Sequence, residues 1–308
     1  MGGAFFLPGD SLKPPLTWAD QVALLARRGL VIDDEDLCAE FLAGHNYYRF
    51  SGYMRYFQKA PHEGDDDFIP GTTLAQIRDI YNADRALRTS LTEQLAHAEL
   101  LLRTHTAYVI AHNHGPCGGY LNGEFYTDAP GSEPTIDSCL KDIRRSRERH
   151  ILRYKVGDTD PDLNKLPIWS AVEALSFGTL SKCIERGAQG QLADAVATSL
   201  GAAKSGFAYR VRALVYVRNR CAHHSRIWNH SIIDAGPTPN NVRNKAKRAV
   251  GQFQPRSILD VIASLDDIVV RGKVGEPMMA VLSERRIRDT DFWHGLSHPQ
   301  NSKDHRPA

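Results

Sequence analysis

Residues 73–114 read TLAQIRDIYNADRALRTSLTEQLAHAELLLRTHTAYVIAHNH, and this stretch decides the fold class. Apolar side chains recur in it mostly every three or four residues, which is the spacing of one buried face of an α-helix. Because 42 residues exceed the length of an average helix, we expect this segment to kink or break once. The apolar stripe consists of Leu74, Ile77, Tyr81, Leu87, Leu91, Leu95, Ala98 and Leu102.

Helical signals continue on both sides of this segment. Thr17 and Asp20 fit a capping box for a first helix that Gly29 ends, and the acidic run at 33–36 favours the start of a second helix. No stretch has a convincing strand pattern, so the sequence predicts an all-α protein. Further helices are predicted at 136–155, from Pro167 to Gly187, at 189–200 and at 206–222, followed by two or three more up to about residue 288 and a frayed last twenty residues.

Composition favours a globular protein of the cytoplasm. Hydrophobic residues make up 42% of the 308 residues and charged residues 24%, and no apolar run reaches the roughly 18 residues of a membrane span. The N-terminal stretch lacks the basic region and apolar core of a signal peptide. Five cysteines, an odd number without a C-x-x-C pair, indicate reduced thiols in a cytoplasm and no disulfide framework.

The charges are distributed unevenly. Residues 195–259 hold eleven Lys/Arg and one acidic residue, whereas the chain as a whole carries only +2, and residues 141–155 form a second basic segment. Such asymmetry indicates an anionic partner, nucleic acid first, although a solvated helix face is the simpler explanation of one charge run. The residues predicted to bind RNA are Arg144, Arg145, Arg147, Arg149, Arg243, Lys245, Lys247 and Arg248.

The stretch YRVRALVYVRNRCAHHSRIWN at 209–229 carries the candidate chemistry, in Arg218, Asn219, His223 and His224. An arginine is always charged and binds a phosphate through two parallel hydrogen bonds, while a histidine moves protons near neutral pH. Together these groups suit work on a phosphodiester.

A structural explanation of Arg218 stays open at this point. Arg218 lies one turn beyond Leu214 and therefore borders the buried face of its helix. A charge in that place is costly unless it is paired or serves a function. A salt bridge to Glu99 or Glu173 would satisfy it without any catalytic role.

Metal sites are weakly supported by the sequence. Metal-ligand residue types occur at His112, His114 and Cys117, but no second group of ligand residues follows at the spacing of a known zinc motif. Cys221, beside His223 and His224, is an equally poor candidate. Phosphate-cradling glycine loops, H-E-x-x-H and G-x-S-x-G motifs do not occur. We therefore expect neither a metal nor a cofactor.

The chain resembles the Abi-like abortive-infection proteins of the AbiD/AbiF type, members of the HEPN superfamily. The resemblance rests on KPPLTWADQVALL, HNYYRFSGY, AHAELLLR, LPIWSAVEALSFGTLSK and VRNRCAHHSRIWN, which follow the family's order over residues 13–230. The superfamily motif is an arginine followed, after four to six residues, by a histidine, usually with a polar residue next to the arginine. Arg218, Asn219 and His223 match with four intervening residues, and His224 matches with five.

This resemblance implies a metal-independent endoribonuclease of phage defence, controlled by or complexed with a noncoding RNA. His223 or His224 would move protons, Arg218 would hold the scissile phosphate, and Asn219 would orient one of them. The residues given supporting roles are Glu99, Arg103, Glu173 and Arg226. The implied fold is a HEPN-type helical bundle at 73–235, with an N-terminal helical segment at 1–72 and C-terminal helices at 236–308.

Two other functional classes remain alternatives. The first is a non-catalytic RNA-binding or regulatory module of the same fold. The second is a metal-dependent nuclease that uses His112, His114 and Cys117.

Helix geometry constrains how the motif can work. Positions five apart on an α-helix differ by about 140° in direction and about 7.5 Å along the axis, so Arg218 and His223 cannot share a face of an unbroken helix. Either the helix ends near Cys221, or two copies of the chain contribute to one composite site. We expect a homodimer with such a site, an arrangement for which the superfamily is known.

Overall fold

The computed structural model describes residues 14–154, 165–233, 236, 238–284 and 290–300. These residues form fourteen α-helices and one small two-stranded sheet, so the all-α prediction is confirmed. The chain divides into two compact units, Met1–Ala83 and Asp84–Ala308. The HEPN-type arrangement and the division at residues 72 and 235 stay predictions.

The first unit begins as the sequence predicts. The Thr17 hydroxyl accepts the Asp20 N–H at 3.1 Å, and the Asp20 carboxylate accepts the Thr17 N–H at 3.3 Å, which completes the capping box. Gly29 follows the first helix with φ of +86°, a left-handed conformation that suits glycine. The elements of this unit are α1 (Trp18–Arg27), α2 (Glu35–His45), α3 (Tyr47–Met54), β1 (Gln58–Ala60), β2 (Asp65–Phe68) and the first ten residues of α4 (Leu74–His114).

The antiparallel strands β1 and β2 form a small sheet that no strand pattern in the sequence indicates. They are three and four residues long, carry mostly polar and charged side chains, and contain no β-branched residue, so alternation of polar and apolar residues cannot reveal them. A turn that includes Gly64, with φ of +89°, joins them.

Aromatic side chains make up much of the core of the first unit. The ring of Tyr81, at the start of α4, meets Phe41, Phe50 and Tyr53 edge-on, with centroids 5.2–6.0 Å apart. Phe50 and Tyr53 are fully buried. Phe50 and Tyr53 of α3 therefore serve packing within this unit, whereas Tyr48 is exposed.

Helix α4 is one continuous helix of 41 residues, so the predicted break is wrong. Residues 74–114 contain neither proline nor glycine, and length alone does not break a helix whose apolar stripe stays buried. That burial is confirmed, for example at Ile77, Leu91, Leu95 and Leu102. None of the described helices, α4 included, has both the length and the apolar composition needed to cross a membrane.

The second unit continues from Asp84 through the rest of α4. Two expected helices are each divided: an extended Ser146 interrupts the basic helix, and Leu175–Ser176 interrupts the helix that ends at Gly187. Its further helices are α5 (Thr135–Arg145), α6 (Arg149–Leu152), α7 (Ile168–Ala174), α8 (Phe177–Arg186), α9 (Leu192–Ser199), α10 (Phe207–Ala222), α11 (Asn240–Val250), α12 (Ile258–Arg271), α13 (Met278–Glu284) and α14 (Asp291–Ser297).

Helix α10 packs against α8, α9 and α12 and holds a charged group inside the core. Arg210 is fully buried, donates from Nε to the Ser264 hydroxyl at 2.7 Å, and donates from Nη2 to the Asp267 carboxylate at 2.7 Å. Burial lowers the pKa of Arg210, while the hydrogen bond and charge of Asp267 act in the opposite direction. The ion pair between Arg210 and Asp267 therefore joins α10 to α12, and the Asp267 carboxylate offsets the buried charge of Arg210.

The expectation of a frayed C-terminus is wrong for residues 290–300, which include α14. Phe292, Trp293 and Leu296 are buried, and Trp228 Nε1 donates to the Phe292 carbonyl at 2.9 Å. Residues 301–308, which the same expectation covers, lie outside the described residues.

The five cysteines are all described, and none forms a disulfide. Four are buried and Cys117 is exposed. Burial raises the pKa of Cys221 to about 11 and also raises the pKa of Cys38, which disfavours their reactive thiolates. We expect one thiol of the native protein to react rapidly with Ellman's reagent at neutral pH, and Cys117→Ser to remove that fast phase. Rapid reaction of several thiols without denaturant would contradict this.

Candidate active site

Arg218 is half-exposed on the last part of α10 and is held by three contacts. Its Nε and Nη2 donate to the Glu99 carboxylate at 3.4 and 3.3 Å, and its Nη1 donates to Asn219 Oδ1 at 3.0 Å. The guanidinium carbon also lies 5.9 Å from the centre of the Phe177 ring. Of the five N–H groups of an arginine, one on each Nη therefore keeps no partner among the described residues.

Glu99 is held from its other side by Arg103. Arg103 Nη2 donates to Glu99 Oε1 at 2.5 Å and to the Leu175 carbonyl at 2.8 Å, while Nη1 donates to the Val172 carbonyl. Because Arg103 is only 7% exposed, these three acceptors replace the water that would otherwise solvate its charge. A continuous chain of hydrogen bonds thus runs from the end of α7 through α4 to Arg218.

The structure distinguishes between the two glutamates that the sequence left open. Glu99, on α4, pairs with Arg218, whereas Glu173, on α7, is exposed and makes no ion pair among the described residues. Arg226, another supporting candidate, contributes its backbone: its carbonyl accepts the Arg220 Nε–H at 2.9 Å.

Helix α10 ends at Ala222, next to Cys221, which is one of the two alternatives that helix geometry leaves open. His223 is the C-cap, and its N–H donates to the Asn219 carbonyl at 2.9 Å. The N–H of His224 donates to Cys221 at 3.0 Å, and that of Ser225 to Arg220 at 2.8 Å, which together form a Schellman ending. Both histidines are exposed. The composite site of two copies stays a prediction.

A family model described as Abi-like protein matches residues 40–229. The match covers more than half of the chain and includes Glu99, Arg103, Arg218 and both histidines. The chain belongs to the Abi-like protein family. No curated protein and no solved structure matches this Abi-like protein. Membership suggests involvement in abortive infection, whereas the AbiD/AbiF type and the HEPN superfamily stay predictions.

His224 of this Abi-like protein occupies a backbone position that favours glycine. Its φ is +54°, the left-handed conformation of the residue that follows a helix C-cap. Because a side chain there costs about 1–2 kcal/mol, we expect His224→Gly to retain or raise the midpoint of thermal unfolding, and His223→Gly to lower it. The two variants also separate the two imidazoles in a cleavage assay. A large loss of stability in His224→Gly would contradict the backbone argument.

The sequence did not indicate a second cluster, formed by Tyr216 and Arg220 of α10 and by His230 of the segment that follows it. Arg220 Nη1 donates to the Tyr216 hydroxyl at 3.3 Å, and that hydroxyl shares a 2.6 Å hydrogen bond with His230 Nε2. Burial, followed by the charges of Arg220 and Arg226, lowers the pKa of His230 to about 4. The four-residue spacing of Tyr216 and Arg220 on one helix face could have indicated a pair, but nothing in the sequence brings His230 to it.

The residues predicted to bind RNA differ in their surroundings. Arg243 donates from Nε and Nη2 to both carboxylate oxygens of Asp260 at 3.0 Å, so its guanidinium group joins α11 to α12. Lys247 lies half-buried, 5.6 Å from the centre of the Phe253 ring, and Arg145 pairs with Asp142 at 3.1 Å. Exposed members of the set are Arg144, Arg145, Arg147, Arg149, Lys245 and Arg248.

These basic residues belong to two helical neighbourhoods. Helix α5 packs against α7 and α8, whereas α11 packs against α12 and α13. Their role in RNA binding stays a prediction.

The metal-ligand candidates make separate contacts. His112 Nδ1 lies 2.8 Å from the Tyr108 carbonyl, His114 packs edge-on against Phe125, and the Cys117 thiol donates to a backbone carbonyl at 3.7 Å. Within the part of the chain that the structure describes, no three His, Cys, Asp or Glu side chains are grouped as a metal site would need.

Proposed function

We propose that this Abi-like protein acts in abortive infection as a metal-independent endoribonuclease. The observation that carries the proposal is a half-exposed Arg218 that Glu99 and Asn219 hold in place, with two N–H groups left over, shortly before exposed histidines at a helix end. A guanidinium held in this way is prepared to bind the oxygens of a phosphodiester.

In the proposed reaction, the ribose 2′-oxygen attacks the adjacent phosphorus. A new 2′-O–P bond forms as the P–O5′ bond breaks, which leaves a 2′,3′-cyclic phosphate and a 5′-hydroxyl. One imidazole removes the proton of the 2′-hydroxyl, and a protonated imidazole supplies a proton to the departing 5′-oxygen. His223 is the first candidate for these transfers, and His224 is the second.

Arg218 stabilises the charge that builds on the phosphate oxygens during this attack. Glu99 carries one negative charge between the two positive charges of Arg103 and Arg218, so the cluster retains a net positive charge for an incoming phosphate. Asn219 Oδ1 accepts a hydrogen bond from Arg218 Nη1 and so restrains the other side of the guanidinium. The three side chains thereby keep the guanidinium oriented before RNA arrives.

We further propose that two copies of the chain form the working enzyme. Transesterification needs both a base and an acid, and one helix end of each copy would supply them across a two-fold axis. The exposed arginines and lysines of α5 and α11 would contact RNA backbone outside the site, including a noncoding RNA that controls the enzyme.

The test is cleavage of single-stranded RNA by purified protein in excess EDTA. We expect fragments whose 5′ ends accept phosphate from polynucleotide kinase without prior phosphatase treatment, because the reaction leaves 5′-hydroxyls. Activity that EDTA abolishes and a divalent metal restores would contradict the proposal, as would 5′-phosphate products. A control with Arg218→Ala excludes a contaminating nuclease.

A second candidate function is a non-catalytic RNA-binding or regulatory module. The ion pair between Arg218 and Glu99 favours it, because that pair already satisfies a charge beside the buried face of α10. In that case the protein would bind RNA without cutting it, and Arg218→Ala would change no RNA product.

A further inference from the structure

Arg220 lies inside the candidate motif but takes no part in the contacts of Arg218. Its Nε and Nη2 both donate to the Arg226 carbonyl, at 2.9 Å for Nε, and its Nη1 donates to the Tyr216 hydroxyl at 3.3 Å. The Arg220 carbonyl also accepts the Ser225 N–H at 2.8 Å. Arg220 thus holds the far end of the segment that follows α10, at Ser225 and Arg226.

We propose that Arg220 is a positioning residue that holds the turn at residues 223–226 against α10 and so sets where His223 and His224 lie. Its catalytic consequence rests on the proposed function, whereas its hold on the turn does not.

The turn needs this restraint because its backbone is strained. His224 has φ of +54°, which costs a residue with a side chain about 1–2 kcal/mol. Non-glycine residues persist in this conformation where the surrounding structure determines it from several sides. The two hydrogen bonds from Arg220 to the Arg226 carbonyl oxygen restrain the turn from its far end.

The chemistry of arginine suits this role in a way that lysine cannot reproduce. A planar guanidinium directs two N–H groups to one carbonyl and a third to another acceptor, whereas an ammonium is a single point with rotating donors. Arg220 meets the Arg226 carbonyl and the Tyr216 hydroxyl in this manner.

Tyr216 and His230 restrain the chain beyond the turn. Their rings are parallel within 7° with centroids 5.8 Å apart, and the Tyr216 hydroxyl is 2.6 Å from His230 Nε2. Because burial lowers the pKa of His230 to about 4, its ring is neutral at physiological pH and adds no charge beside Arg220. The chain after the turn is therefore held to α10 at two points, Arg226 and His230.

The experiment compares Arg220→Lys with Arg212→Lys, the same substitution on the same helix at an arginine that pairs with Glu185 instead. Amide hydrogen exchange reports the turn, and kcat and KM for RNA cleavage report the site. For Arg220→Lys we expect exchange at His224 and Ser225 to rise about tenfold or more, with exchange at Leu214 unchanged. We also expect kcat to fall about 10- to 100-fold with KM changed less than about threefold. Arg212→Lys should alter neither quantity.

Unchanged protection of His224 and Ser225 in Arg220→Lys would overturn the hold on the turn. Lost protection with an unchanged kcat would overturn the positioning role. If the wild type cleaves no RNA at all, the proposed function fails, and the exchange data alone then support or overturn the hold on the turn. Tyr216→Phe removes one hydroxyl contact of Arg220 at constant shape, and we expect a smaller rise in exchange at the same two amides.

Discussion

Arg218→Ala is expected to lower the rate of RNA cleavage by about 10²–10³-fold while leaving the protein folded. The loss follows from removing the group that would stabilise charge on the scissile phosphate. Single-turnover cleavage of a labelled RNA, with enzyme in excess, measures it. Arg212→Ala on the same helix is the matched control, because Arg212 is partly exposed and pairs with Glu185.

Arg218→Lys is expected to give an intermediate result. Lysine keeps the positive charge but cannot hold Glu99, Asn219 and a phosphate with one fork, so we expect activity between the wild type and Arg218→Ala. His223→Ala should match the loss in Arg218→Ala. If both alanine variants cleave RNA at the wild-type rate, the proposed site is wrong.

Stability should change little when Arg218 is removed. The Arg218 side chain is 35% exposed, and Glu99 keeps its 2.5 Å hydrogen bond to Arg103. A solvent-screened ion pair contributes about 0–1 kcal/mol, so the unfolding midpoint should stay close to that of the wild type. A loss of activity can then be assigned to the site.

Local sequence signals predicted the elements around the site better than the contacts between them. The apolar stripe of α4 and the end of α10 near Cys221 both follow from helix periodicity and geometry within one segment. The partner of Arg218 does not. Glu99 and Glu173 were equal candidates because the choice depends on which faces of α4 and α7 meet α10, and only packing of the second unit determines that.

The remaining errors have similar physical origins. A break in α4 was predicted from length, although breaks come from proline, glycine or inserted groups, and α4 contains neither proline nor glycine. Helix α14 lies in a polar terminal stretch, and its few apolar side chains become informative only when α12 covers them. The contact of His230 with Tyr216 joins residues on either side of a turn whose shape depends on His224 at positive φ, a conformation that the histidine itself does not indicate.

The largest expected effect on stability belongs to Arg103→Ala. This change removes a buried guanidinium, deprives the Leu175 carbonyl of its Arg103 donor, leaves the Val172 carbonyl with the Leu175 N–H at 3.3 Å, and opens a cavity beside α7. Breaking a buried charged contact in this way costs about 3–5 kcal/mol. Equilibrium unfolding in urea should show a much lower midpoint at an unchanged slope. Arg85→Ala, an exposed arginine on the same helix, should change the free energy of unfolding by less than about 0.5 kcal/mol.

Arg103 also connects stability to the site without touching RNA. Once Arg103 is gone, Glu99 Oε1 loses its donor, and the whole carboxylate becomes available to Arg218. A stronger pair with Glu99 would occupy N–H groups that a phosphate needs, so Arg103→Met, which retains much of the volume, should lower kcat while the protein remains folded. Glu99→Gln combined with Arg103→Met should then recover part of the lost rate, because a neutral amide competes less with phosphate for Arg218. If Arg103→Met unfolds at the wild-type midpoint and cleaves RNA at the wild-type rate, the chain of hydrogen bonds from α7 to Arg218 supports neither the fold nor the site.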